Sequence, residues 1–506
     1  MLLPGERSIV SAVCSSRGEE NSRACHRIAS IGGVAALLFA GYGTAPAGAA
    51  PPTLAVPEAE NPQPSQGFAP FGFLTGIGKS SNLLGDMWRL RPLLSQYGLS
   101  LAVSETSEIL GNVTGGVHRG ADYDGLTQMA IQLDTQQAFG WYGGTFRASA
   151  LQIHGRNLSA DNLLTLQTAS GIEAEPGARL WELWYQQKFL DEDRLDVRVG
   201  QMSLDQEFIV STNALLFLNT MFGWPLVPSA DLPGGGPAYP LSALGVRLRA
   251  RPTDALTGLL AVTNGNPAPN NLPDAQQQNP SGTSFPLNGG VLVFGELQYA
   301  YPAVGALVTS PSEQVHAGTF KVGFWYNSEQ FDDLLFDTMG LSLANPLSNG
   351  VPAQHPNNFS FYAVLDQTIW QTPIGGTLNF FTRAMGTPQA GRNPIVFSLN
   401  AGFTLHGPLP GRGDDTAGIG MGYGRVSGST SALDQQTGLF TSSFVPVRVG
   451  ETYLELTYQY QLTPAVQLQP DFQYVFNPGA GIANPNNPSE TIKNEAVLGF
   501  RVILTF

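Results

Sequence analysis

The chain has 506 residues, 13% of them charged and 42% hydrophobic, with 59 Gly, 37 Pro and a net charge of −14. No apolar run of about 18 residues follows residue 45, which excludes membrane-spanning helices, and so acidic a balance argues against a nucleic-acid partner. A mean hydropathy of −0.03 still admits a transmembrane β-barrel, where lipid-facing and lumen-facing residues alternate and cancel.

Residues 1–50 read as an export signal. Arg17, Arg23 and Arg27 precede an apolar stretch over 28–42, and the small-residue segment Ala45-Pro46-Ala47-Gly48-Ala49-Ala50 follows. That stretch is too short and Gly-rich for a permanent anchor, and the long leader ahead of Arg27 fits a start codon further downstream. Removing residues 1–50, with four Arg and three acidic residues, leaves 21 basic against 36 acidic side chains, a net charge of −15. Both cysteines, Cys14 and Cys25, go with the leader, so no disulfide, thiol chemistry or Cys-ligated metal is expected in the remainder.

A Pro-rich linker over 51–82 has little with which to form a core. A short helical segment over 83–97 follows, with Gly98 as its C-cap. From residue 99 to the end, period-2 segments bounded by Gly, Pro, Asn and Asp predict sixteen strands. They span 99–110, 126–139, 144–154, 180–190, 194–202, 243–251, 256–264, 291–300, 316–327, 358–370, 375–385, 395–406, 417–427, 450–462, 465–476 and 495–506. An even count is what a single-chain bacterial barrel requires. Five connections are tight (141–143, 191–193, 252–255, 371–374 and 463–464), and those between them are mostly long, including 203–242, 265–290 and 328–357. Short turns at one rim and long loops at the other mark the periplasmic and extracellular sides of an outer-membrane barrel. Two connections on the short side, 301–315 and 407–416, are longer than that pattern asks. The expected fold is an all-β, 16-stranded antiparallel transmembrane barrel over 83–506, preceded by its short helical segment.

Alternation also assigns faces. In 465–476, Val466, Leu468, Phe472, Tyr474 and Phe476 point outward and leave Gln467, Gln469, Asp471 and Gln473 to the lumen. In 316–327, Phe320, Val322, Phe324 and Tyr326 face lipid, with Lys321, Trp325 and Asn327 inside; in 126–139, Met129, Ile131 and Leu133 oppose Gln128, Gln132 and Asp134. The closing segment sets Leu498, Phe500, Val502, Leu504 and Phe506 on one apolar row that only lipid remains to cover. The lumen side is polar and amide-rich, which predicts a water-filled channel at this strand number. Segments 99–110 and 144–154 alternate imperfectly, and their facing stays open.

The inward rows supply candidate sugar contacts. Arg198 beside Asp196, and Arg247 with Arg249, stand opposite Leu195, Val197, Val199, Val246 and Leu248. Glu182, Trp184 and Lys188 turn inward on the preceding segment; Glu296, Trp325, Asp366, Arg383 and Glu455 do so on later ones. Guanidinium donors and carboxylate acceptors can replace the hydration water of a sugar, and Trp184 or Trp325 offers a face to a pyranose ring. Any one of these side chains can equally be an ordinary lumen charge pairing across strands, so the expectation attaches to the cluster. The 203–242 connection carries Ala214-Leu215-Leu216-Phe217-Leu218 and Met221-Phe222-Gly223-Trp224-Pro225, too apolar to stand in solvent. It either folds inward to narrow the channel or covers a subunit contact.

Gly85-Asp86-Met87-Trp88-Arg89-Leu90-Arg91 resembles the Gly-Asp-Trp-Gly-Gly-Leu-Arg opening of the carbohydrate-selective porin (OprB-type) family, departing from it at Met87, Trp88 and Arg89. Val199-Gly200-Gln201, Tyr239-Pro240 with Leu244-Gly245-Val246-Arg247, and Asp366-Gln367 are similar too. So are the region from Phe381-Thr382-Arg383 to Gly411-Arg412-Gly413-Asp414-Asp415, and Gln469-Pro470-Asp471-Phe472-Gln473-Tyr474 with Asn477-Pro478-Gly479. The resemblance covers most of 83–506 and implies an outer-membrane porin through which mono- or oligosaccharides diffuse passively. It further implies partners: outer-membrane lipid, sugars in transit, and a barrel-assembly machinery that reads the terminal aromatic, with the chain a homotrimer or a monomer. A general or ion-selective porin is the alternative of the same architecture, and an exported soluble β-rich carbohydrate-active enzyme is a more remote one. No Gly-x-Ser-x-Gly elbow or His-Glu-x-x-His run supports catalysis. His118, His154, His316, His355 and His406 lack metal-ligand spacing, so neither cofactor nor metal is expected. Arg412-Gly413-Asp414 reads as part of a periplasmic turn.

Overall fold

A computed structural model describes residues 82–268, 274–303 and 317–506 of the protein. The expected export signal, nearly all of the linker, both cysteines, His316 and most of the 301–315 connection lie outside the described residues. The first strands are β1 (Leu99–Thr114), β2 (Ala121–Asp134), β3 (Gly144–Gly155), β4 (Gly177–Phe189), β5 (Leu195–Met202) and β6 (Ala243–Ala250). Next come β7 (Leu256–Asn264), β8 (Val291–Tyr301), β9 (Gly318–Asp337), β10 (Pro352–Gln371), β11 (Thr377–Gly386) and β12 (Ile395–His406). β13 (Thr416–Val426), β14 (Gly450–Thr463), β15 (Val466–Phe476) and β18 (Glu495–Thr505) complete the wall, with a small hairpin of β16 (Ala483–Asn484) and β17 (Asn487–Thr491) in the last long loop. Neighbours pair antiparallel in chain order, and β18 joins β15 to β1 to close a sixteen-stranded barrel.

Each expected strand coincides with one of these, and the face assignments hold. Leu498, Phe500, Phe320, Val322, Phe324, Met129 and Ile131 are exposed on the outer wall, whereas Arg501, Trp325, Asn327, Gln128 and Gln473 are buried inside. The closure is stitched beyond the ladder: Phe506 N–H donates to Val103 O at 2.9 Å, Thr505 N–H to Ala465 O at 3.0 Å, and Leu83 N–H to Thr505 O at 2.8 Å.

The differences have local causes. The helix is only Leu90–Ser95, because Met87, Trp88 and Arg89 take left-handed φ values of 50°, 54° and 74°. β2 stops at Asp134, whose carboxylate caps a five-residue helix by accepting from Gln136 N–H at 2.8 Å and Gln137 N–H at 3.1 Å. Much of the expected 328–357 loop is strand. β9 and β10 run 20 residues each and stand out from the rim as a paired ribbon, with register shifts near Pro352 and Pro356.

In the interior, the 203–242 connection takes the inward one of its two expected paths. The lumen is polar along its walls, but this connection lies inside the barrel and carries its own apolar core. Phe208, Ile209, Phe217, Met221, Phe222, Trp224 and Leu226 pack there with Phe294, Trp325, Phe381 and Tyr453 from the wall. Burying these side chains is what makes an inward path favourable for so apolar a segment.

Candidate functional site

The site has two components, an arginine wall and the inward loop, and register builds the first. In the ladder of β5 and β6, Asp196 faces Arg249 and Arg198 faces Arg247; across β4 and β5, Gln186 faces Arg198. Such directly opposed side chains lie close enough to bond. Arg249 Nε donates to Asp196 Oδ2 at 2.6 Å, and Arg247 pairs with Asp196 Oδ1. Arg247 Nη2 and Arg198 Nη2 both donate to Gln186 Oε1 at 3.0 Å. The Arg198 guanidinium also lies 3.9 Å from the ring centroid of Trp184, covering a face of the indole. Further along the wall, Arg147 Nε lies 3.5 Å from Glu182 Oε2.

Glu207 brings the loop to this wall. Its Oε1 is 2.6 Å from Arg198 Nη1 and its Oε2 is 2.7 Å from Arg247 Nε. Arg247 is thus fully enclosed, at 2% side-chain exposure, whereas Arg249 keeps 38% and Arg198 14%. Asp196 and Glu207 offset most of the mutual repulsion of the three arginines. The guanidinium surface left open to the channel belongs to Arg249 and Arg198.

The remaining sequence-predicted residues stand elsewhere, as holders of the loop. Glu296 Oε2 accepts from Ile209 N–H and from Tyr362 Oη, both at 2.8 Å. Asp366 Oδ1 accepts from Ser211 Oγ at 2.6 Å and from Asn213 Nδ2 at 2.9 Å. Arg383 donates to the carbonyls of Ile209, Gly223 and Met221, at 3.2, 2.9 and 2.5 Å. Glu455 accepts the N–H groups of Leu218 at 2.5 Å and Asn219 at 3.1 Å. Trp325 has no exposed surface and packs within the interior core. Lys321 adds a bond to Val210 O at 2.6 Å. A segment with little secondary structure must satisfy its backbone groups somehow, and these strand side chains do so.

Three features escaped sequence reading. Glu207 sits in a loop, where alternation assigns no face. Gln186 shares the inward row of Glu182 and Trp184 and was legible by the same count. The third is the row Gly418, Gly420, Gly422 and Gly424, every second residue of β13. A β-carbon at Gly418 would lie 2.6 Å from Leu216 Cδ2, and one at Gly424 would lie 2.2 Å from Leu226 Cδ2. Gly418, Gly420 and Gly424 are a bare track on which the loop rests, while Gly422 makes room for Tyr453 of β14, and the spacing of two was the signal.

Within the loop, Asp205 is buried and accepts from Ser203 Oγ at 2.5 Å and Tyr239 N–H at 2.9 Å. Desolvation raises its pKa to about 6 against those bonds. Arg412 of the expected Arg412-Gly413-Asp414 turn lies between β12 and β13, bonded to Asp415 at 2.5 Å and 3.9 Å from the Tyr460 ring centroid.

A family model described as "Carbohydrate-selective porin, OprB family" matches residues 118–506. Porin B of Pseudomonas aeruginosa is 23% identical over 451 residues, which cover 84% of this chain and 91% of that protein. QuiX of Acinetobacter baylyi is 23% identical over 425 residues, covering 79% and 89%. The high-pH structure of Pseudomonas putida OprB matches with a TM-score of 0.74 at 20% identity, over 85% of this chain and 100% of that one, a likeness of fold.

Proposed function

Because the chain belongs to the carbohydrate-selective porin, OprB family, and is an outer-membrane sugar porin, we propose that sugars are selected between the arginine wall and the 203–242 loop. Arg249 and Arg198 are assigned the hydroxyl contacts, donating in directed pairs where hydration water is lost. Glu182 is assigned an acceptor role beside them. Arg247 positions the wall by tying Asp196 to Glu207, and Trp184 supports Arg198. Glu296, Asp366, Arg383 and Glu455 are assigned the holding of the constriction, and Trp325 the packing behind it. Transit is passive diffusion, without catalysis, and insertion depends on the barrel-assembly machinery reading the C-terminal strand.

The observation that supports this reading is the double pairing of Glu207 with Arg198 and Arg247, at 2.6 and 2.7 Å. It sets the loop against the wall and leaves Arg249 facing the opening. The test is sugar block of ion current in planar bilayers for the wild type and for Arg249→Ala. A residual positive charge, from three arginines facing Asp196 and Glu207, favours anions in the same channel. Reversal potential separates that ion-selective reading from sugar binding, which block measures.

A further inference from the structure

Next to the arginine wall, strand register builds a polar pocket of about 190 Å³ inside the lumen. Thr257 of β7 pairs with Gln298 of β8, and Gln298 pairs with Lys321 of β9. Two residues before Lys321, Thr319 pairs with Asp366 of β10. Directly paired residues share a face of the sheet, so these side chains turn inward together. Thr212 of the 203–242 loop joins them in lining the pocket.

The polar groups here are only partly engaged. Lys321 Nζ donates to Val210 O at 2.6 Å, which leaves two of its three N–H donors. Asp366 Oδ1 accepts from Ser211 Oγ at 2.6 Å and from Asn213 Nδ2 at 2.9 Å, which leaves Oδ2. Gln298 Nε2 donates to Glu296 Oε1 at 2.6 Å, which leaves the amide oxygen. Donors and acceptors thus surround one small space, an array that replaces hydration water around a hydroxyl-rich solute. The ammonium and the carboxylate cancel in charge, which favours a neutral polyol over an ion.

The pocket adjoins the arginines. Arg249 pairs with Leu259, and Thr257 stands two residues away on the same inward row of β7. The pocket therefore begins one strand from Arg249, a spacing of roughly 4.8 Å. Its 190 Å³ falls below the roughly 300–1,000 Å³ of sites for drug-sized ligands and suits one hexose unit.

We propose that this pocket is a second sugar subsite, taking the next unit of a disaccharide whose first unit is held by Arg249 and Arg198. The proposal rests on the arginine wall being where sugars are selected. It makes the length of the sugar a determinant of affinity, because a monosaccharide engages the wall alone and a disaccharide engages wall and pocket together.

The test is block of ion current by glucose and by maltose, with the full-length channel in planar bilayers. Ala300 also lines the pocket, and Ala300→Trp fills it. A second variant, Thr257→Val with Gln298→Leu, removes polar groups from the pocket and leaves Lys321 and Asp366 holding the loop. Maltose block is expected to weaken about tenfold in both variants, the loss of one or two hydrogen bonds, with glucose block changed less than about twofold. Equal weakening for the two sugars, maltose block unchanged in either variant, or a wild type blocked no more tightly by maltose than by glucose would each overturn the second subsite. Glucose block that depends on Arg249 in the same recordings would uphold the wall even then. Glucose block indifferent to Arg249→Ala would overturn the wall, and the subsite with it.

Discussion

A β-carbon at Gly420 would come 2.5 Å from Phe222 Cζ and 3.0 Å from Phe217 Cε1. The strand residue is bare where two loop phenylalanines press on it, so wall and loop form one packed unit. Gly420→Val is therefore expected to push the loop toward the lumen axis or out of its seat, costing about 1–3 kcal/mol by overpacking. Single-channel recording should show altered conductance with increased noise, in a barrel that still shifts on heating. A conductance and noise level equal to wild type would mean that the seat is not where the loop rests.

Arg383→Ala removes the donor shared by three loop carbonyls and leaves them buried without partners. Hydrogen bonds to charged groups contribute about 1.5–3 kcal/mol each, so the loop should loosen strongly. Limited proteolysis of the reconstituted protein is expected to cut within 203–242 in the variant and spare the wild type.

Asp205 gives the loop a pH dependence. Its folded pKa, about 6, lies above the unfolded value of 3.8. The folded state therefore binds a proton more tightly, and the stabilisation is fully present below about pH 3.8 and lost as pH rises through about 6. Current noise should grow between about pH 4 and pH 6 in the wild type and level off above that. Asp205→Asn, which mimics the protonated group, should flatten that change; an undiminished pH dependence would assign it to another residue.

Deleting Phe506 removes a residue whose N–H bonds Val103 on β1 at 2.9 Å and whose ring ends the lipid-facing row. We expect much lower outer-membrane levels with unchanged conductance for the channels that do insert. Equal levels would show that closure and recognition do not need this residue.

Strand number and facing were legible because a lipid-facing wall enforces a period of two over long stretches. The helix boundary was not, because Met87, Trp88 and Arg89 take left-handed φ values of 50°, 54° and 74°, which residues other than Gly rarely adopt and which no period in the sequence signals. Segments β1 and β3 defied assignment for a physical reason: Glu105, Ser107, Gln152 and His154 stand outward, against the usual pattern. The arginine wall followed from alternation alone. Its partner Glu207 did not, because a loop without periodicity gives no clue to the direction of a side chain. Alternation likewise grouped Glu296, Asp366, Arg383 and Glu455 with the lumen charges, although each of them turns out to bond backbone or side-chain groups of the loop.

We propose that sugars are selected where Arg249 and Arg198 face the channel beside Glu207. It is tested most directly by titrating glucose, maltose and arabinose into planar bilayers containing wild type, Arg249→Ala or Glu207→Gln channels. We predict concentration-dependent block of the wild-type current by at least one sugar, weakened about tenfold or more in Arg249→Ala, which corresponds to losing roughly 1.4 kcal/mol of binding. Glu207→Gln should weaken block and raise conductance together, since it frees the loop from the wall. A wild type that conducts ions but is blocked by none of the sugars, or block that is identical in all three channels, would contradict the account.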